Sequence, residues 1–196
     1  MRAKPSILIV NDDGVNSKGI CSLINVMRNI GDVYVVAPDS NRSGYSHAMT
    51  LHRDISIEHL DKENNVFSCS GTPVDCVKIA LNLLLDRPPD LCVSGINHGS
   101  NHSINGLYSG TLHAAMEGTI QGIKSISFSH LSYDEKKDFS EFNTIIKSLS
   151  EKVLQTDFLE NITLNINFPD VPYSQIKGLK VCSQGQGIWQ EKFQLL

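Results

Sequence analysis

The chain predicts an α/β fold in which helices cover both faces of a largely parallel sheet. Three features carry that expectation. Short apolar runs alternate with helix-length segments through most of the 196 residues. Several of these runs are continuous rather than alternating, as strands buried on both faces must be. No repeat, low-complexity tract or linker interrupts the pattern, so residues 1–196 are read as one domain, long enough for a full core.

Ser6–Val10 reads as a first buried strand ending in the turn Asn11-Asp-Asp-Gly14. A helix is expected from Lys18 to Ile30, with Ile20, Leu23, Ile24 and Met27 on one face. Residues 33–37 form a second strand, closed by Pro38-Asp39. After a loop rich in Ser, Gly and Asn, residues 50–58 and 66–70 read as strands of a meander. Pro73 suits the first position of a helix continuing to Leu85. Residues 90–94 are a third buried strand, and the loop from Gly95 to Gly110 that follows is long and dense in Gly, Ser, Asn and His. A helix over 111–121, a strand over 125–129, a long helix over 135–154, a strand over 163–168 and a last short strand over 180–183 complete the order.

Composition narrows the classes of function. Seventeen Lys and Arg against 21 Asp and Glu leave a net charge of −4, with no basic excess to meet a nucleic-acid polymer. No apolar stretch reaches the length of a membrane span, and no secretory leader is expected from Met1-Arg-Ala-Lys-Pro5. The five cysteines are odd in number and scattered, without a Cys-x-x-Cys pair. That pattern suits reduced thiols rather than zinc ligands or a disulfide frame, and a cytoplasmic location is the expectation.

The loops that follow parallel strands emerge on one edge of the sheet, where open α/β sheets bind ligands. Asp12 and Asp13 would lie there, and a shared cation would relieve two adjacent like charges. Taken singly, the turn could equally be a solvated acidic one. The second loop offers the hydroxyls of Ser40, Ser43 and Ser46 beside Arg42, and the third offers the amide oxygens of Asn97 and Asn101. Two carboxylates, a hydroxyl and an amide make an all-oxygen set, suited to Mg²⁺, Mn²⁺ or Ca²⁺ rather than zinc. Ser109, Gly110 and Thr111 open a helix whose N-terminal N–H groups could face an anion, ordinary capping being the plainer alternative. Jointly these loops point to a metal-dependent phosphoester site. Among the seven histidines, His47, His98 and His102 fall on the same loops and could donate a proton, although loop polarity alone would account for them. Trp189 and Phe193 could stack on a base or pack on a neighbouring subunit, and packing is the expectation.

Five motifs then occur in order: Asn11-Asp-Asp-Gly14, Ala37-Pro-Asp-Ser-Asn-Arg-Ser-Gly44, Gly71-Thr-Pro-Val-Asp-Cys76, Ser94-Gly-Ile-Asn97, and Tyr108-Ser-Gly-Thr111 followed by Ala114-Ala-Met-Glu-Gly118. In this the chain resembles the SurE (survival protein E) family of 5'/3'-nucleotidases, from the first strand to about Pro169. The resemblance implies a Rossmann-like three-layer α/β/α sandwich that hydrolyses nucleoside monophosphates to nucleoside and phosphate. It implies one divalent cation per subunit, Mg²⁺ or Mn²⁺, held by Asp12, Asp13, Ser43 and Asn97, with Asp12 and Asp13 at the catalytic centre. Asn101, Ser109, Gly110 and Thr111 are the expected phosphate contacts, and Gly71–Asp75 is expected to be structural.

Family members form homodimers or tetramers through a C-terminal extension. Here residues 178–196 diverge, and most of that extension is expected to be missing. The alternatives weighed are a short form that binds metal or nucleotide without turnover and, more remotely, a receiver-like signalling module. Receivers also place two acids after their first strand, but they would leave the third loop without a purpose.

Overall fold

The computed structural model describes residues 4–157 and 161–195. Its strands are β1 Ser6–Val10, β2 Asp32–Pro38, β3 Ile57–Asp61, β4 Val66–Cys69, β5 Leu91–His98, β6 Ser125–His130 and β7 Thr163–Phe168. They make one sheet in the order β3-β4-β2-β1-β5-β6-β7, parallel throughout except for β3, which pairs antiparallel with β4. The helices are α1 Lys18–Met27, α2 Pro73–Ile79, α3 Asn105–Tyr108, α4 Gly110–Ile120 and α5 Asn143–Gln155. Among the described residues no helix is long and apolar enough to cross a membrane.

The run of four apolar residues in β1 feeds two separate cores, because successive side chains point to opposite faces. Ile7 and Ile9 pack with Leu23 and Met27 of α1 and with Phe142 and Ile146 at α5. Leu8 and Val10 pack with Val77 of α2 and Ala114 of α4. Three layers result, as expected. The placement of α5 has a topological consequence. The β1–α1–β2 unit moves one way along the sheet and β6–α5–β7 moves the other way, yet both helices lie on the same face. If the first crossover has the usual right hand, the β6–α5–β7 crossover is left-handed.

Four elements differ from expectation. Residues 50–56 are not a strand, since the Thr50 N–H donates to the Asp75 carboxylate at 3.1 Å rather than to a sheet neighbour. Strand β5 runs on to His98 instead of ending at Ser94, through a register shift between Ser94 and Asn97. The helix expected from residue 135 starts only at Asn143, after a 3₁₀ turn over Ser140–Phe142. Asp134 and Asp138 accept from the backbone N–H groups of Lys136 and Ser140, both at 2.9 Å, and such local bonds compete with a helix. Residues 180–183 carry no strand.

Candidate active site

The carboxyl edge of the sheet holds a cleft of about 690 Å³. The loops after β1, β2 and β5 all reach it, as the parallel order requires. Asp12, Asp13, Ser43, Asn97, Asn101 and Ser109 line it together.

The turn after β1 is built by Asn11, whose Nδ2 donates to the Gly14 carbonyl and to Ser17 Oγ, both at 2.9 Å. Gly14, with φ +101°, lets the chain double back at that point. Asp12 is thereby turned inward and is 3% exposed. Thr111, fully buried at the start of α4, donates its hydroxyl to Asp12 Oδ1. The same hydroxyl lies 3.3 Å from Asn97 Oδ1, while Asn97 Nδ2 is committed to the Gly99 carbonyl at 2.7 Å. One hydroxyl has one proton to give, so with Asp12 served the Asn97 oxygen faces the site as an acceptor without a donor. Asp13 Oδ2 accepts from the His98 backbone N–H at 3.2 Å, and His98 Nδ1 lies 3.2 Å from the same oxygen.

Burial, joined by the charge of Asp13, pushes the Asp12 carboxyl up to about 6, although hydrogen bonds from Thr111 pull the other way. Among the described residues no Lys or Arg pairs with either carboxylate, and His98 is the one ionisable partner. One buried and one part-buried carboxylate with no Lys or Arg partner among the described residues, beside an amide oxygen without a donor, fit a divalent ion with hard oxygen ligands. The donor set is Asp, Asp, Asn and Ser. Among the described residues no three His, Cys, Asp or Glu side chains gather as a metal site.

The loop after β2 reaches the cleft because the Arg42 N–H donates to the Asp12 carbonyl at 2.7 Å and the Val15 N–H donates to the Pro38 carbonyl at 2.9 Å. Ser43 is exposed on the cleft wall, its N–H held by Asn41 Oδ1 at 2.8 Å. The Arg42 guanidinium is a strut instead, bonded to Asp39 at 2.9 Å and to the Ser70 carbonyl at 3.2 Å.

Of the four expected phosphate contacts, Asn101 and Ser109 line the cleft, and Gly110 and Thr111 do not. Asn101 is fixed by bonds to Ser129 Oγ at 2.7 Å and from its own N–H to Asn167 Oδ1 at 2.8 Å. Ser109 caps α4, accepting from the Leu112 N–H at 2.9 Å. Gly110 packs behind Asp12: a Cβ there would lie 2.7 Å from the Asp12 Cβ. Gly110 and Thr111 therefore shape the carboxylate rather than reach into the cleft.

His47 leaves the centre for Glu117, at 2.9 Å, where Lys78 also binds at 2.9 Å. Burial of Glu117 is outweighed by its bonds to His47, Lys78 and Gln121, which hold that carboxyl below its ordinary range. This Glu117 cluster ties α2, α4 and the second loop together. His102 does not line the cleft, whereas His98 does. Lys18, Asn105 and Tyr133 also line the cleft without being named as contacts from sequence, and no spacing marks them, because they lie outside the motifs. Asp39 and Tyr108 line it from within motifs that assign them no role, and Trp189 lines it too, where packing on a neighbouring subunit is the sequence expectation.

Comparison with known proteins agrees with this fold. A family model described as "Survival protein SurE" matches residues 7–191, further than the sequence motifs reach. A Flavobacterium psychrophilum protein named 5'-nucleotidase SurE is 50% identical over 194 residues, covering 97% of this chain and 76% of its own length. The protein of the same name from Flavobacterium johnsoniae is 48% identical, with 97% and 74% covered. The crystal structure of the SurE protein from Aquifex aeolicus superimposes with a TM-score of 0.86 at 40% identity, covering 93% of this chain and 73% of that one. On the family model, these relatives and the shared fold, the chain belongs to the SurE family.

Proposed function

We propose that this protein is a divalent-metal-dependent 5'-nucleotidase that hydrolyses nucleoside monophosphates to nucleoside and phosphate. The observation that carries the reading is the Thr111 hydroxyl set between Asp12 Oδ1 and Asn97 Oδ1, behind the wall of a cleft that Asp12, Asn97, Asp13 and Ser43 line. The names of the relatives support the same substrate class.

Asp12, Asp13, Asn97 and Ser43 would hold one Mg²⁺ or Mn²⁺. Held there, the ion would supply charge neutralisation at the phosphoryl group and would lower the pKa of a nearby water. The remaining work falls to the chain. Asn101 and Ser109 orient the phosphate from the wall facing the second loop. His98 braces Asp13 through both its backbone N–H and its ring, so that carboxylate cannot swing out of the site. Thr111 and Gly110 fix the Asp12 rotamer from behind, one by a bond and the other by the absence of a Cβ. The burial that raises the Asp12 pKa makes the ionised pair costly until a cation arrives, which couples metal binding to loss of the proton.

The test is phosphate release from a panel of nucleoside 5'- and 3'-monophosphates. Metal-stripped protein, the same protein with Mg²⁺ or Mn²⁺ restored, and the Asp12→Asn and Asp13→Asn variants are compared. Metal-dependent release that both variants lose is the expected result. Release that survives metal stripping, or either substitution, sinks the reading.

A further inference from the structure

After β7 the chain runs without regular structure, apart from one 3₁₀ turn over Tyr173–Gln175, and returns to the cleft, which Trp189 lines. Gln184 donates to the Ser103 carbonyl at 3.0 Å, and Gly187 lies against the Ser103 side chain. In this stretch Val181, Ile188, Phe193 and Leu195 are 81–100% exposed. Trp189 behaves differently. Its ring lies on Tyr108 with centroids 4.7 Å apart and planes inclined by 33°, and half of its surface stays open. Its indole N–H donates to Asn105 Oδ1 at 2.7 Å, and Asn105 Nδ2 is anchored in turn on Ser100 Oγ at 2.9 Å. Both rings line the same cleft as Asp12 and Asp13.

The cleft lining therefore combines two chemistries: a hard-oxygen set of carboxylates and amides, and the stacked pair of Trp189 and Tyr108. A nucleoside monophosphate carries the matching two parts, a dianionic phosphate and a flat π-face. The indole N–H, the group on the ring that could read a base edge, is already committed to Asn105. A platform with its polar atom occupied binds by stacking, and stacking accepts any base because every base has a π-face.

We propose that Trp189, seated on Tyr108, is the platform on which the substrate's base stacks, binding purines and pyrimidines alike without reading their edges. The assignment rests on the nucleotidase reading above, but it makes separate demands. Trp189 is the sole tryptophan of the chain, so its fluorescence reports on this site alone.

The experiment mixes the full chain, loaded with Mg²⁺, rapidly with AMP, CMP and ribose 5-phosphate and follows the intrinsic tryptophan emission before turnover. AMP and CMP should quench it saturably, and ribose 5-phosphate, which has the phosphate but no base, should leave it unchanged. In metal-loaded protein, Trp189→Ala should lower the ratio of kcat/KM for AMP to that for ribose 5-phosphate by about tenfold, within the range stacking supplies. The loss should fall on KM, and Trp189→Phe should recover most of it. AMP hydrolysed with no tryptophan signal, or a ratio unmoved by Trp189→Ala, overturns the platform and leaves the nucleotidase standing. Quenching by AMP without phosphate release overturns the nucleotidase and leaves the platform standing.

Discussion

A hydroxyl between two acceptors can serve only one of them, and that makes Thr111 the hinge of the site. While its proton goes to Asp12, the Asn97 oxygen is left open toward the cleft. Thr111→Val keeps the side-chain shape and removes that choice. The expected outcome is an intact fold with metal affinity weakened roughly 10- to 100-fold, the usual effect of losing a partner that orients a ligand. Calorimetric metal titration checks it, and Thr111→Ser should recover the affinity. Asp12 allows a second prediction with a definite sign. Its folded pKa, about 6, stands above the unfolded value near 3.8, so the folded metal-free chain holds a proton that the unfolded chain releases. This group's contribution to stability is therefore whole below the unfolded pKa, declines as pH rises toward 6, and is a standing penalty above. Asp12→Asn removes the penalty, so at pH 8 the metal-free variant should unfold a few degrees above the parent, at about 2–4 °C per kcal/mol. A metal-free variant that melts at or below the parent temperature at pH 8 would contradict this account of the carboxylate.

At the scale of elements, α2 shows how one residue sets the path of a distant segment. Thr72 and Asp75 form a reciprocal capping box, with the Asp75 N–H donating to Thr72 Oγ1 at 3.1 Å and the Thr72 N–H to Asp75 Oδ2 at 2.9 Å. The same carboxylate takes the Thr50 N–H and holds residues 48–56 against the helix end. Asp75→Ala should lower stability by about 2 kcal/mol in urea unfolding, a lost cap plus a stranded buried donor. It should also make the segment near Thr50 more susceptible to proteolysis.

This carboxylate also shows what the sequence conveyed and what it withheld. Pro73 and Asp75 marked a helix start from local chemistry, and the helix is there. That Asp75 would capture Thr50, 25 residues away, is a tertiary bond with no periodic trace, and residues 50–56 were misread as a strand for that reason. The strands β1 and β2 were legible because burial on both faces leaves a continuous apolar run, and β6 and β7 because their apolar residues alternate with Ser or Asn at the period of a strand. Strand β5 hid its second half because Gly95 and Asn97 break that run at a register shift. At the site, the paired acids, Ser43 and Asn97 were legible as ordered motifs. Thr111 was legible as a member of the site but not as the partner of Asp12, because that role depends on α4 packing directly behind β1.

For the whole molecule, the cleft gathers three loops that the sheet alone brings to one edge, so a ligand that ties them should raise global stability. A divalent ion present at 100 times its Kd contributes about 2.7 kcal/mol, which for a chain of this size is on the order of 5–10 °C in melting temperature. The size of that shift should depend on pH in a direction fixed by Asp12. Below about pH 6 the carboxyl is protonated in the metal-free fold, and the ion must displace that proton to bind. Each unit of pH below that value should weaken apparent metal affinity about tenfold, or about 1.4 kcal/mol. Protons and metal thus act oppositely on the same residue: acid relieves the metal-free fold, and the ion relieves the ionised one. Melting curves at pH 5 and pH 8, with and without Mn²⁺ at one fixed concentration, measure both effects at once. The metal-induced rise should be several degrees at pH 8 and about half as large at pH 5, with Asp12→Asn showing little rise at either. An equal rise at both pH values would mean that the ion is held by groups other than this carboxylate pair.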